Sequence, residues 1–525
     1  MSTRSNDSGS APDIESGGGT SPMRLSLADM PSIGTINNRF QSYNVEMVEV
    51  IGGRFWRPYR ASSDPTRSAP PSPDPSAQTP VGMDPALYES RPPINLTNSR
   101  LRKLAAALGP AYVRVSGTWA NSVYFHGANS PAPSTPPEGF GGVLTRQQWE
   151  GVIDFADAVD AKPVISFATG AGTRDAAGVW TPAQAHDLLA YTASIGGSIA
   201  AAEFMNEPTY AAMGGAPADY DAVAYGRDVA VFTQFIRQAA PDLIFLGPGS
   251  VGEGGVFPIA LGSGMLATEE LLKVVGPVFD AFSFHVYGAA SQRCASLGMA
   301  TQTTADAALS DEWLSRAGAV EAFYADLRDQ FLPGKPLWVT ETADAACGGN
   351  PWASTFLDTF RYLVQHGSFA RRGVQVIAHN TLASSDYGLL DEETLAPRPN
   401  YWAALLWRKL MGTTVLDANP TPAPHLYLFA HSLRGKPGGV ALLVINTDRD
   451  ASQAIELVTP AERYTLSARN LLDTRIQLNG NDLTLASDNI LPEIVSAPVS
   501  AGRLTLAPAS ITFLAIPDAN NRNCR

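Results

Sequence analysis

The sequence predicts an α/β protein: a (β/α)8 TIM barrel followed by an antiparallel β-sandwich that also takes in an N-terminal segment. Three observations lead there. Between about residues 40 and 410, short β-rich runs alternate with helical stretches, eight of each. Several of the β-rich runs are continuously apolar, as strands buried on both faces must be. After residue 412 the pattern changes to short alternating runs punctuated by Gly, Asn, Asp and Pro, which suits a sandwich.

The eight predicted barrel strands are Phe40–Glu46, Tyr112–Ser116, Pro163–Phe167, Ala201–Asn206, Leu243–Gly247, Ala281–His285, Leu337–Glu341 and Val374–Asn380. The expected helices are Ser99–Leu108, Thr145–Val159 (with Thr145 as its N-cap), Thr181–Ser194, Ala218–Ala239, Thr268–Val275, Asp311–Phe331, Trp352–His366 and Tyr401–Met411. Sandwich strands are expected at Leu426–Ala430, Val440–Asn446, Tyr464–Ser467, Leu483–Ala486, Leu504–Leu506 and Ile511–Ile516. The organisation is then a leader at 1–22, a segment at 23–36 that returns to the sandwich, the barrel at 37–412 and the sandwich at 413–525. Long connections at Gly52–Pro93, which contains Ala69-Pro70-Pro71-Ser72-Pro73, and at Gly127–Gly142 read as pocket walls.

Composition narrows the function classes. The 525 residues are 45% hydrophobic and only 17% charged, with a formal charge of −13 and no Lys/Arg-rich run. Nucleic acid is excluded as a partner on that basis, and so is a long polyanion gripped along a basic groove. No apolar run is long enough for a transmembrane helix, so no membrane partner is expected. The Ser/Gly-rich first 22 residues lack the apolar stretch of a signal peptide. Three cysteines and seven histidines show no metal-ligand spacing; no metal or organic cofactor is expected.

The chemistry is carried by two glutamates. Glu207, in Asn206-Glu207-Pro208, follows the fourth predicted strand, and Glu341 ends the seventh. Both therefore reach the C-terminal mouth of the barrel, from opposite sides. Two carboxylates facing each other there can cleave a glycosidic bond, one protonating the leaving oxygen and the other attacking the sugar. Asn206 is placed to bond a sugar 2-hydroxyl. His285 and Tyr287 end the neighbouring sixth strand, and Tyr287 is expected to donate to Glu341 and hold it ionised. Glu203 and Glu49 lie near these motifs, but strand alternation points them away.

Further motifs carry a resemblance. They are Leu108-Gly109-Pro110-Ala111-Tyr112-Val113-Arg114-Val115-Ser116-Gly117-Thr118, Phe284-His285-Val286-Tyr287, Glu341-Thr342 with Gly348-Gly349, Tyr387-Gly388-Leu389-Leu390-Asp391, and the run from Asn400 to Leu406. Together with Asn206-Glu207-Pro208 they resemble the clan A retaining glycosidases, and within them glycoside hydrolase family 79, the heparanase and β-glucuronidase family, over roughly residues 35–415. The resemblance implies Glu207 as general acid/base and Glu341 as nucleophile. It implies that Gly348, Gly349 and Tyr387 hold a glucuronate carboxylate, and that Glu46 and Thr118 contact sugar hydroxyls. Cys347 stands where heparanase has a tyrosine, after one extra residue, so which amides bind the carboxylate is left open.

The expected substrate is thus an oligosaccharide or glycoside bearing glucuronic acid or its 4-O-methyl ether, cleaved by a retaining exo-β-glucuronidase. An endo-acting enzyme of heparanase or hyaluronidase type is the alternative, and a non-catalytic sugar-binding barrel a remote one. Cys294 and Cys347 follow adjacent strands, which allows either a disulfide across the mouth or two free thiols.

Overall fold

A computed structural model describes residues 23–59, 79–255, 265–297, 303–418, 423–486 and 489–524. The expected leader and the Pro-rich stretch from Ala69 to Pro73 fall outside them.

All eight predicted barrel strands are present: β1 (Gln41–Asn44), β2 (Ala111–Val115), β3 (Ala161–Ser166), β4 (Ala201–Glu203), β5 (Ile244–Ser250), β6 (Ala281–Tyr287), β7 (Leu337–Ala343) and β8 (Val374–His379). Each pairs in parallel with the next, and β8 returns to β1 through Ile377 opposite Gln41 and His379 opposite Tyr43, closing the cylinder. Its lower interior is filled by apolar side chains, with the Tyr112 and Trp338 rings 4.9 Å apart beside small residues such as Ala201 and Ala281. A charged layer sits above this plug, towards the C-terminal mouth.

Several of the surrounding helices start at polar caps. Asn98 Oδ1 accepts from the amides of Arg100 and Leu101 ahead of Ser99–Leu108, Thr145 and Gln148 form a capping box at Arg146–Ala158, and Ser310 caps Asp311–Phe331. Among the described residues no helix is long and apolar enough to cross a membrane.

The last barrel helix, Pro399–Leu410, runs directly into a strand, Met411–Leu416. That strand belongs to a nine-stranded sheet that includes Leu426–Leu433, Val440–Asn446, Ser510–Ile516 and Ala461–Ser467. Its other neighbour is Ser32–Thr35, antiparallel, with Thr35 opposite Thr414. A smaller sheet joins Met23–Arg24, Gln453–Leu457 and Gly502–Leu506. Leu428, Leu442, Val444, Ile455, Leu504 and Leu514 fill the space between the sheets. The sandwich seats on the barrel where Phe429 covers Gly367; a Cβ at Gly367 would lie 2.3 Å from that ring.

One predicted strand is absent. Beyond Asn481–Asp482 the backbone at Leu483–Ala486 is irregular: Leu483 donates to the Ile476 carbonyl and Ala486 to the Ile490 carbonyl, both at 2.9 Å, but no regular ladder continues.

Candidate active site

Arg114, on β2, organises the layer beneath the mouth. It is 1% exposed, and its acceptors come from β4 and the residues just after it, from β6 and from β7. Nη2 donates to Glu203 Oε2 and to Asn206 Oδ1, both at 2.8 Å, and Nη1 donates to Glu341 Oε2 at 2.9 Å. Burial would push Arg114 down, but the charges of Glu203 and Glu341 outweigh it and keep the guanidinium cationic. Glu203 shows the same balance. Burial raises its carboxyl, yet Arg114 overrides that and holds it below the usual range, helped by Thr340 Oγ1 donating at 2.7 Å. An unpaired charge at this depth would be expensive, so neither partner is dispensable.

The two candidate carboxylates converge above Arg114. One oxygen each of Glu207 and Glu341 and a ring nitrogen of His285 lie within 4.8 Å of one another. Their surroundings differ. Glu341 accepts from Tyr287 Oη at 2.5 Å on one oxygen and from Arg114 on the other. Among the described residues, the Glu207 carboxylate accepts from His285 Nδ1 alone, at 2.9 Å from Oε1. Burial lifts the Glu207 carboxyl to about 7; the Arg114 charge opposes this and the Glu203 charge adds to it. Arg114 Nη2 also faces His285 Nε2 at 3.2 Å. A guanidinium can only donate, so Nε2 accepts and Nδ1 carries the proton that His285 gives to Glu207. Burial depresses His285 to about 4, which leaves the ring neutral at ordinary pH.

Glu207 stands in the left-handed region, φ 49° and ψ 62°, at the start of the 3-10 turn Pro208–Gly214. A non-glycine residue there is strained, and such strain collects where a side chain must be aimed. Asn206 is fixed on both sides: its amide donates to Asn121 Oδ1 at 2.8 Å and its carbonyl accepts from Asn121 Nδ2 at 2.9 Å.

A cavity of about 510 Å³ opens over the pair, and Glu46, Thr118, Tyr287 and Tyr387 line it along with Glu207 and Glu341. Glu46 is buried, and its Oε2 has no protein partner. Burial first, and then the charge of Glu341, raise its carboxyl well above the ordinary range, so it can donate as well as accept. Gly117 makes room for it. A Cβ there would fall 1.5 Å from Glu46 Oε2, and φ is +88°. Asn380 donates to the hydroxyls of Tyr287 and Tyr387 at 3.3 and 3.2 Å, and its Oδ1 is unpartnered.

The sequence profile described as "Glycosyl hydrolase family 79, N-terminal domain" matches residues 88–367, more than half of the chain. The chain belongs to glycosyl hydrolase family 79. It is 30% identical over 410 residues to heparanase-like protein 1 of Arabidopsis thaliana, covering 74% of this chain and 72% of that one. Against the baicalin-β-D-glucuronidase of Scutellaria baicalensis it is 32% identical over 191 residues, 34% of this chain and 36% of the other. The crystal structure of a 4-O-α-L-rhamnosyl-β-D-glucuronidase from Fusarium oxysporum 12S superposes with a TM-score of 0.61 at 14% identity, covering 94% of this chain and 100% of that one. At that identity the likeness speaks for the fold. The protein is a glycoside hydrolase.

In this family 79 hydrolase the other sequence-predicted residues divide. Asn206 and His285 sit under the cavity, tied to Arg114. Gly348 and Gly349 are buried behind the wall that Ala346 and Cys347 present to the cavity. Their carbonyls accept from Ser385 Oγ at 2.9 Å and Ser291 Oγ at 2.7 Å. Residues 347, 348 and 349 all have positive φ, which glycine tolerates at the last two positions. Cys347 is disulfide-bonded to Cys294, so the bridged alternative holds and the loops after β6 and β7 are joined beside the cavity.

Two expectations are corrected. Glu203 does not point away: β4 stops pairing after Glu203 and the chain bends, so the alternation that orients Ala201 and Glu203 inwards does not carry through to Asn206 and Glu207. Glu49 lies on the short helix Met47–Ile51, where strand alternation does not apply, and it braces Glu46 from outside the cavity, accepting from the amide of Glu46 at 2.7 Å and from Ser384 Oγ. Arg114 and Asn380 received no role from the sequence. The signal for Arg114 was there, since an arginine inside the apolar run Ala111–Val115 must be buried and therefore paired.

Proposed function

We propose that this hydrolase is a retaining exo-β-glucuronidase in which Glu207 is the general acid/base and Glu341 the nucleophile. The observation that carries the reading is the convergence of these two carboxylates in unequal surroundings. Glu341 is positioned by two donors and suits attack on the anomeric carbon. Glu207 titrates near 7 and suits delivery of a proton to the leaving oxygen, followed by its removal from water in the second step. A contact within 4.8 Å favours a pair that attacks directly over the wider spacing, about 6.5–9.5 Å, that leaves room for an inverting water.

The glucuronate carboxylate would lie against the loop after β7. Among the hydrogen bonds of the described residues, none is donated by the amides of Cys347, Gly348 or Gly349, and the Tyr387 hydroxyl, which accepts from Asn380, still has its own proton to give. Glu46 and Asn380 each offer an unpartnered oxygen to sugar hydroxyls. Thr118 adds a third polar group to the lining. Exo action is favoured because, among the described residues, no Lys or Arg side chain lines the cavity, whereas a cleft for sulfated chains needs cations. The likeness to heparanase-like and glucuronidase proteins agrees with a β-glucuronide as substrate.

Proton NMR of aryl β-glucuronide hydrolysis tests both parts. The β-anomer of glucuronic acid should appear first, and β-glucoside, β-galactoside and β-xyloside should be poor substrates. An α-anomer as first product would refute the double displacement.

A further inference from the structure

We infer that the leaving-group side of the cavity is a binding site for an apolar, ring-bearing aglycone, so that the physiological substrates are glucuronides of hydrophobic alcohols or phenols and not glucuronic acid at the end of a polar glycan. This rests on the glucuronidase reading above and specifies what that reading leaves blank. The proton donor fixes the side. Glu207 must reach the glycosidic oxygen, so whatever hangs from that oxygen lies beside Glu207, against the segment that follows β4 and the end of β5. Those walls are Tyr210, Ala212, Met213, Val251, Gly252 and Met265. None carries a charge, and the Tyr210 hydroxyl packs at Gly252, where a Cβ would fall 2.5 Å from it. Among the described residues of this wall the Tyr210 hydroxyl is the one polar side-chain group, so most hydroxyls of a sugar there would face thioethers and a valine.

The same wall continues outward. Pro80, Val81 and Met213 line both the main cavity and an adjoining one of about 260 Å³, and Trp119 stands between the two. Phe140 and Ile51 lie in the second chamber. Val81 is 64% exposed, a large apolar side chain left in water at the edge of the site. Met83, Met213 and Met265 are unbranched and polarisable, and methionine-lined surfaces adapt to apolar partners of differing shape. The main cavity alone falls in the roughly 300–1,000 Å³ range that encloses a compact organic ligand.

Three substrates with alkyl-type leaving oxygens separate the possibilities: methyl β-D-glucuronide, 2-phenylethyl β-D-glucuronide, and a disaccharide of β-glucuronic acid on glucose. The 2-phenylethyl compound should exceed both others in kcat/KM by about tenfold or more, because its ring leaves water against this wall. In the double variant Met213→Ser with Met265→Ser, the ratio of phenylethyl to methyl turnover should fall towards one. Equal kcat/KM for the methyl and phenylethyl compounds, or a preference for the disaccharide, overturns the inference while leaving the glucuronidase reading intact. Turnover of other β-glycosides but of none of these three overturns the glucuronidase reading, and this inference with it.

Discussion

On the β6–β8 side of the cavity, hydrogen bonds fix one side chain after another: Tyr287 on Glu341, Asn380 on Tyr287 and Tyr387, Ser385 and Ser291 on the carbonyls of Gly348 and Gly349. The β4–β5 side is held through its backbone, where Thr209 Oγ1 exchanges bonds with Val251 at 3.1 and 3.2 Å and the Met213 carbonyl accepts from Val81 at 3.2 Å. The side chains it shows to the cavity are Tyr210, Met213, Val251 and Met265. Directional bonds select one geometry, whereas apolar packing rewards buried area and tolerates shape. The first wall is therefore suited to one particular sugar, and the second to a range of attachments. Bracing reaches further on the polar side. Arg293 Nη2 pairs with Asp386 at 2.6 Å and its guanidinium lies over the Tyr59 ring, which pins the chain leaving the Gly53–Trp56 strand to the loop after β8.

If that contrast is right, damage to the polar wall should lower turnover of every glucuronide alike, whatever its aglycone. The largest effect is expected from Glu341→Ala, a fall in kcat of about 10⁴-fold or more on all substrates, measured by steady-state kinetics. Glu207→Gln should cost about 10²–10⁴-fold on alkyl glucuronides and far less on nitrophenyl ones, whose leaving groups need no proton. Its pH profile gives a second readout. The acid works protonated, and its carboxyl is raised to about 7, so wild-type kcat/KM on alkyl glucuronides should decline as pH rises through 7; the variant should lack that limb. Glu203→Gln acts from below the cavity. Removing the countercharge of Arg114 should cost about 3–5 kcal/mol of stability, read from denaturant unfolding. Because Glu203 helps to raise Glu207, the remaining activity should show its alkaline limb at lower pH. A limb that stays in place would mean that Glu203 only supports the fold.

The barrel was legible because its strands are apolar runs ending in polar residues, and a run such as Leu337–Thr340 ahead of Glu341 has no other place to go. Thr145 and Gln148 announced their helix through a capping pattern that needs no tertiary information. The sandwich was less legible at its edges. Met411–Leu416 follows a helix with no turn residue between them, so nothing local marks the change. In the site, residues at strand ends were found, while those that act through others were not. Glu203 was misread because period-two alternation assumes a regular strand, and β4 stops at that residue. Asn380 gains its role from two tyrosines brought in by β6 and by the loop after β8, a meeting that no spacing in the sequence records.

The pairing of Ser32–Thr35 with Met411–Leu416 also orders events in time. A ribosome releases the chain from its N-terminus, so the Ser32–Thr35 ribbon leaves the exit tunnel long before its hydrogen-bonding partner has been synthesised. Through most of translation it lacks the one sheet neighbour it has in the folded chain, Met411–Leu416. The cylinder can assemble meanwhile, but the ribbon that precedes it is secured only once the last barrel helix and the strand beyond it have emerged.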